Sequence, residues 1–192
     1  EDGKKINVSA ILRTAIKKFT DEVGKLWASL ADYYIRRGLF EKARDIYEEG
    51  LESVMTVRDF SLIFDAYAAF EENVLSSKMV QEEEEEEEEN DEIELRLARL
   101  EHLMERRPIL LSSVMLRQNP HNVHEWLKRI SLLSSSSSKE IVSTYSLAIQ
   151  TVDAKASSGS ISQVWIDFAK FYEGHGDLDN ARVIFEKATK SP

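Results

Sequence analysis

Apolar positions recur along this chain at spacings of three and four, the period of helices that lay one face against a core. Over 6–19 they fall at Val8, Ile11, Leu12, Ala15, Ile16 and Phe19. A second stripe, capped by Thr20 or Asp21, runs to about Arg37 with Val23, Leu26, Trp27, Leu30, Ala31, Tyr34 and Ile35 inward. Gly38 should end it, because glycine takes the left-handed conformation after a last helical turn at low cost. Further helices are predicted over about 40–53, with Ala43, Ile46, Tyr47 and Leu51 buried, and over about 59–75. The pattern then stops, and 76–92 contain eight consecutive glutamates, Glu82–Glu89. Like charges repel and bury nothing, so this segment reads as an acidic disordered loop. A helix resumes near Ile93 and should stop at Pro108, with a short helix over 109–117. Helices over 122–133 and 139–152 flank Ser134–Ser138, which reads as a flexible turn. A loop covers 153–160, and a last pair of helices spans 161–174 and 178–190.

The chain repeats itself. A shift of 138 lays Trp27, Ala31, Tyr34 and Gly38 on Trp165, Ala169, Tyr172 and Gly176. The same shift lays Ala43, Arg44, Ile46, Tyr47 and Glu48 on Ala181, Arg182, Ile184, Phe185 and Glu186, with no gap. Four units of about 34 residues would span it. An intermediate copy begins at Phe64, whose Phe64, Tyr67, Ala68 and Phe70 match Trp165, Phe168, Ala169 and Phe171. A weaker copy begins at Trp126, with Tyr145 and Ala148 where Tyr47 and Gly50 stand. One helical hairpin cannot bury its stripe alone, whereas stacked hairpins share a continuous core. The fold class expected is therefore all-α, a right-handed α-solenoid of antiparallel helical hairpins. Residues 6–75 form its N-terminal repeats, 93–133 and 139–152 its central ones, and 161–190 its C-terminal one. Residues 8–19 read as a lone second helix, so 1–192 is expected to be one fragment of a longer array.

Composition supports helices: 42% of residues are hydrophobic, while glycine and proline number only 7 and 3. The absence of cysteine rules out disulfides, thiolate zinc sites and a thiol nucleophile. The formal charge is −10, but eight of those charges belong to Glu82–Glu89 and the remainder carries only −2. A near-neutral body gives no electrostatic reason to expect duplex nucleic acid as the main ligand.

Trp27 and Trp165, with Ala43-Arg44-Asp45-Ile46-Tyr47-Glu48 and Ala181-Arg182-Val183-Ile184-Phe185-Glu186, resemble HAT repeats, the half-a-TPR motif of RNA-processing proteins. In those repeats an aromatic marks the first helix, and a pattern like Ala-Arg-x-Ile-Tyr/Phe-Glu marks the second. Thr20–Glu52, Leu95–Arg107, Arg117–His121 and Trp165–Lys190 resemble more closely the HAT-repeat pre-mRNA splicing factors of the Syf type, also called XPA-binding proteins. The resemblance implies a non-catalytic scaffold in the nucleus, within the spliceosome. Its partners would be proteins of the Prp-nineteen-associated assembly, with snRNA or pre-mRNA nearby, and the class is linked to transcription-coupled DNA repair. The repeat from Trp126 departs from the pattern by lacking the Ala-Arg pair, and the glutamate and serine runs replace ordinary loop sequence.

No catalytic, cofactor-binding or metal residue stands out, and no small-molecule substrate or membrane partner is expected. Glycines 24, 38, 50, 159, 174 and 176 form no phosphate loop. His121 and His124 share a helical spacing, but a metal needs more ligands, so they read as surface or capping residues. Arg44 and Arg182 stand four residues before Glu48 and Glu186, a spacing that reads as ion pairs locking one hairpin to the next. The pairs Lys17-Lys18, Arg36-Arg37, Arg106-Arg107 and Lys128-Arg129 sit near helix ends, where cations favour the dipole. The alternative to a protein scaffold is an RNA-contacting HAT module, in which such pairs meet phosphates. A peptide-clamping adaptor of tetratricopeptide type would need inward basic residues in adjacent repeats, and none are found.

Overall fold

The computed structural model of the chain describes residues 7–82 and 90–190. Among them lie α1 (Val8–Lys18), α2 (Val23–Ile35), α3 (Phe40–Ser53), α4 (Val57–Glu82), α5 (Asn90–Gln118), α6 (Val123–Leu132), α7 (Ser138–Thr151), α8 (Ile161–Gly174) and α9 (Leu178–Ala188). The described residues hold no strand, only an isolated bridge between Asn122 and Ser158. The fold is all-α. The helices pack as two compact units, one up to Val114 and one from Met115, so the division falls inside α5 and within the segment 93–133.

In the first unit α2 and α3 form the hairpin predicted around Gly38. Gly38 has φ +71°, its N–H donates to the Ile35 carbonyl, and the Leu39 N–H reaches back to the Tyr34 carbonyl at 3.0 Å. This pair of bonds satisfies the last carbonyls of α2 and turns the chain. Trp27, Leu30 and Ala31 of α2 meet Ala43, Ile46 and Leu51 of α3 in one buried cluster, which α4 completes with Phe60, Ile63 and Phe64. At the start of α4, Asp59 accepts from Thr56 Oγ1 at 2.6 Å, while Thr56 Oγ1 accepts from the Asp59 N–H, a reciprocal cap. Asp59 also accepts the Gly24 N–H at 2.9 Å, so one buried carboxylate serves the first turns of both α2 and α4. A Cβ at Gly24 would stand 2.9 Å from the Asp59 Cα, which is why the close approach needs glycine. α1 buries no residue fully and is tied on by a two-pronged Arg13–Glu49 ion pair at 2.7 and 2.8 Å.

Two expectations are corrected here. Pro108 does not stop the helix: α5 runs through it from Asn90 to Gln118. Proline deprives the helix of one hydrogen bond, but Leu103 before it and Val114 after it are both buried in the first unit's core. Keeping both stripes inward outweighs the lost bond. Of the segment 76–92 expected as an acidic loop, 76–82 and 90–92 are helical, since α4 continues to Glu82 and α5 begins at Asn90. Nothing in Ser76–Gln81 breaks a helix, and Lys78 of α4 pairs with Glu92 of α5 at 3.1 Å. The remaining glutamates, 83–89, lie outside the described residues.

The second unit repeats the hairpin. Gly176 has φ +75°, and the Asp177 N–H donates to the Tyr172 carbonyl at 2.9 Å, as Leu39 does to Tyr34. Val164, Trp165, Phe168 and Ala169 of α8 are buried, with Ala181 and Ile184 of α9. The loop over 153–160 is anchored to the start of α6. Ser158 donates to the His121 carbonyl at 3.0 Å, Val123 donates to Ser158, and the Asp153 N–H donates to His121 Nδ1 at 3.1 Å. In the serine run Ser137 caps α7, its hydroxyl accepting the Glu140 N–H, and Ser138 is the first helical residue.

The aromatic that opens each hairpin differs in one respect. The Trp126 indole N–H donates to the Pro120 carbonyl at 2.8 Å. Those of Trp27 and Trp165 are buried with no partner among the described residues. Trp165→Ala should therefore cost about 3–5 kcal/mol in chemical unfolding, because it empties a large inter-helix site. Trp165→Phe should cost much less, since no hydrogen bond is lost and Phe64 already fills the same repeat position.

Candidate functional site

The residues singled out by the repeat lie where one hairpin meets the next. Tyr47 of α3 stacks on Tyr67 of α4, with ring centroids 4.9 Å apart and planes 11° off parallel, and leans on Phe70 at 6.1 Å. Tyr145 of α7 stacks on Phe168 of α8 at 4.7 Å and 8°, and leans on Phe171 at 6.0 Å. The two junctions share one geometry, because the matched sequences place an aromatic at the same turn of each facing helix. Trp27, Ala31, Ala43, Phe64, Trp126, Trp165, Ala169 and Ala181 are core, with Ala68 half-buried. Tyr34 and Tyr172 are half-buried, and the Tyr34 hydroxyl reaches Ser9 at 3.1 Å.

The ion pairs are not those the sequence suggested. Arg44 passes over Glu48 and donates instead to Glu71 of α4, Nε to Oε1 at 2.5 Å and Nη2 to Oε2 at 3.1 Å. A third bond goes to Glu41 at 2.7 Å. Burial pulls the Arg44 guanidinium down, but the hydrogen bonds and charge of Glu71 outweigh it, and its pKa is raised. Glu48 is taken by Arg106 of α5 in a two-pronged pair at 2.9 and 2.8 Å, and Glu41 by Arg99. The physical reason is direction. Arg44 points into the α3–α4 junction, where a buried charge requires a carboxylate held at the same depth. In α9 the spacing reading fits better, as Arg182 approaches Glu186 at 3.8 Å, but both are exposed and lock nothing.

Beside each aromatic stack lies a groove. In the first unit it has a volume of about 510 Å³ and is lined by Ile35, Phe40, Tyr47, Phe70 and Val74, with Asp32 on one wall. In the second unit a groove of about 460 Å³ occupies the same place in the repeat, lined by Ile130, Ile141, Tyr145 and Phe171, with Asp167. Their chemistries differ. The first carries Lys78 and Arg96, both held by Glu92, at one end. The second is edged by Ser134, Ser136, Ser138 and His175, so part of the serine run lines it. Sequence reasoning missed this, because Ser134–Ser138 carries no apolar period to signal a wall.

The basic pairs are largely engaged within the chain. Besides Arg106, Arg107 lies 5.4 Å over the Phe64 ring, Arg36 pairs with Asp32 and Arg37 covers Tyr33 at 4.4 Å. Lys128 approaches Glu125 at 4.0 Å, and burial lowers the pKa of Arg129. Lys17 and Lys18 stand in the last turn of α1. Among the described residues no three His, Asp or Glu side chains gather as a metal site. No described helix is long and apolar enough to cross a membrane.

Comparison with known proteins adds relatives to this geometry. Residues 1–152 match the family model described as the pre-mRNA-splicing factor SYF1 middle HAT repeat, and residues 154–192 match the Syf1/CRNKL1 C-terminal HAT repeat. The chain is 57% identical over 187 residues to the pre-mRNA-splicing factor SYF1 of Homo sapiens, covering 96% of this chain and 22% of that protein. It is 53% identical to the syf1 homolog of Drosophila melanogaster, covering 96% and 21%. To syf1 of Aspergillus fumigatus it is 52% identical, covering 97% and 23%. The chain thus spans about a fifth of the length of these relatives.

Two outcomes test the junctions. Glu71→Ala should cost about 3 kcal/mol, because it leaves the buried Arg44 guanidinium with only the exposed Glu41, whereas Arg44→Met with Glu71→Leu should cost far less. Burial also pushes the Tyr47 and Tyr145 hydroxyls up to about 12, aided by Asp32 and Asp167 respectively. Their unfolded value is about 10. The stability that follows is complete below about pH 10 and is lost as the pH rises toward 12. Tyrosinate absorbance and the unfolding midpoint, followed together across that window, should show both groups ionising late.

Proposed function

The chain belongs to the HAT-repeat family of the pre-mRNA-splicing factor SYF1, and from that membership we propose that it is a non-catalytic protein-interaction scaffold of the pre-mRNA splicing machinery. HAT repeats are α-solenoid repeats, and such arrays work by presenting edges and grooves between hairpins. The observation that carries the reading is the groove repeated beside each aromatic stack. It offers apolar walls and a carboxylate. The partners proposed are spliceosomal proteins, in particular those of the Prp-nineteen-associated assembly, in the nucleus. Engagement of Arg106 with Glu48 and of Arg107 with the Phe64 ring, both half-buried, favours protein over RNA as the ligand. The extension to transcription-coupled DNA repair rests on the resemblance of the repeats and belongs to the same proposal.

Affinity purification of the tagged chain from nuclear extract, read by mass spectrometry after nuclease treatment, tests this. The expected outcome is recovery of Prp-nineteen-associated proteins, reduced by charged substitutions at Val74 and Ile130 in the grooves. Loss of every such partner on nuclease treatment would move the reading to an RNA-contacting module.

A further inference from the structure

The serine run between α6 and α7 edges the second groove, and the scaffold reading makes no use of its hydroxyls. Ser134 and Ser135 lie in the turn after α6, and Ser136 follows at a bend. Ser137 is the extended cap of α7, with φ −64° and ψ 144°, and Ser138 is the first residue of that helix. Ser134, Ser135 and Ser137 are exposed. Exposed turns of small polar residues are where modifying enzymes reach a chain. Taken at every third position, the segment runs Ser131, Ser134, Ser137, Glu140.

A hydroxyl three residues before a carboxylate is what an acidophilic serine kinase reads: a basic pocket takes the negative charge while the catalytic base takes the hydroxyl proton. Three serine or threonine hydroxyls of the chain have this spacing, Ser29 before Asp32, Thr56 before Asp59 and Ser137 before Glu140. The fold leaves one of them usable. Ser29 sits within α2 and donates to the Lys25 carbonyl at 2.8 Å, and Asp32 is taken by Arg36. Thr56 donates to Asp59 at 2.6 Å, and Asp59 is buried. Ser137 stands outside the helix, Glu140 is exposed, and the Ser137 hydroxyl accepts from the Glu140 N–H at 3.3 Å, a bond that does not use its proton. The same spacing suits a helix cap, and a phosphate there keeps that role, since its oxygens accept from first-turn N–H groups.

We infer that Ser137 and then Ser134 are phosphorylated, in that order, by an acidophilic kinase that uses ATP. In each step the serine Oγ bonds to the γ-phosphorus and the bond from that phosphorus to the bridging oxygen breaks. ADP leaves, and the hydroxyl proton passes to the base of the kinase. The order follows from charge. Ser134 has no negative charge three residues on until Ser137 carries a phosphate, which brings about −1.5 to −2. The ladder stops at Ser134, because Ser131 lies within α6 and donates to the Lys128 carbonyl at 2.7 Å. The two steps differ in effect. The first phosphate meets the N-terminus of α7, where the helix dipole favours it. The second makes the hydroxyl edge of the groove anionic, in a groove that already holds the Asp167 carboxylate, and so changes the charge its ligand must carry. The inference rests on the turn and not on the splicing reading.

The full chain, folded and incubated with an acidophilic serine kinase and Mg-ATP, tests this by intact mass and by fragmentation of its peptides. The first phosphate should appear on Ser137 and the second on Ser134. Glu140→Gln should slow the first step about tenfold, the loss of one charge-assisted contact, and delay the second with it. Ser137→Ala should abolish both. Ser137→Asp keeps a helix cap and a negative charge in place, so Ser134 should then be phosphorylated with no prior step. Circular dichroism shows that each variant keeps its helices, which separates a lost site from a lost fold. A folded chain that takes up no phosphate overturns the inference, as does a first phosphate on Ser29 or Thr56. Ser134 modified in Ser137→Ala, or left unmodified in Ser137→Asp, overturns the order. None of these readouts depends on spliceosomal partners.

Discussion

The grip of a second helix on the first helix of the next hairpin is the contact on which the rest depends. α3 alone with α2 would leave Tyr47 and Arg44 in water. With α4 in place, Tyr47 is covered by Tyr67 and Phe70, and Arg44 is sheathed between Glu71 and the Phe70 ring. The aromatic stack supplies apolar area, while the guanidinium–carboxylate fork fixes the helices lengthwise, because two parallel hydrogen bonds tolerate little sliding. A buried ion pair is weak evidence of net stability. Its contribution here is register: a slip of one turn would strand both charges. The parallel run of α3 and α5 uses the same device at the surface, with Glu41–Arg99 and Glu48–Arg106 two turns apart.

Much of this was legible in the sequence because the repeat shares one register. Shifts of 138 and 101 aligned Trp27 with Trp165 and Tyr67 with Phe168, and those pairs stand at matching places in their hairpins. The turn glycines were legible for a separate reason, as positive φ excludes most other residues. What escaped was non-local. Arg44 has a glutamate four residues on, and local spacing chose it, but the partner lies 27 residues away on another helix. Pro108 reads as a stop in any local rule. Only the burial of Leu103 and Val114 on either side explains why α5 continues. The grooves were the least visible, since they belong to pairs of helices whose polar walls have no period of their own.

The two grooves show how one geometry can carry different chemistry. Both sit beside a tyrosine whose hydroxyl is raised by burial and a neighbouring aspartate. One is edged by cations held by Glu92, the other by serine hydroxyls and His175. Conserving the stack while varying the rim lets an array keep its shape and change what each step recognises.

The matching of Gly50 to Ile63 has a consequence for assembly fidelity. A family of near-identical hairpins risks domain swapping, in which a helix inserts into the wrong neighbour. An alanine at the position of Gly50 would press on the Ile63 Cδ1 at 3.0 Å and on Trp27 at 3.1 Å, and a valine opposite Gly50 would pack less fully. The α3–α4 joint is thus keyed by volume as well as by the Arg44–Glu71 pair, and α7–α8, with Val142 and Tyr172 at the charged positions and Ala148 and Val164 at the others, would mismatch it on both counts.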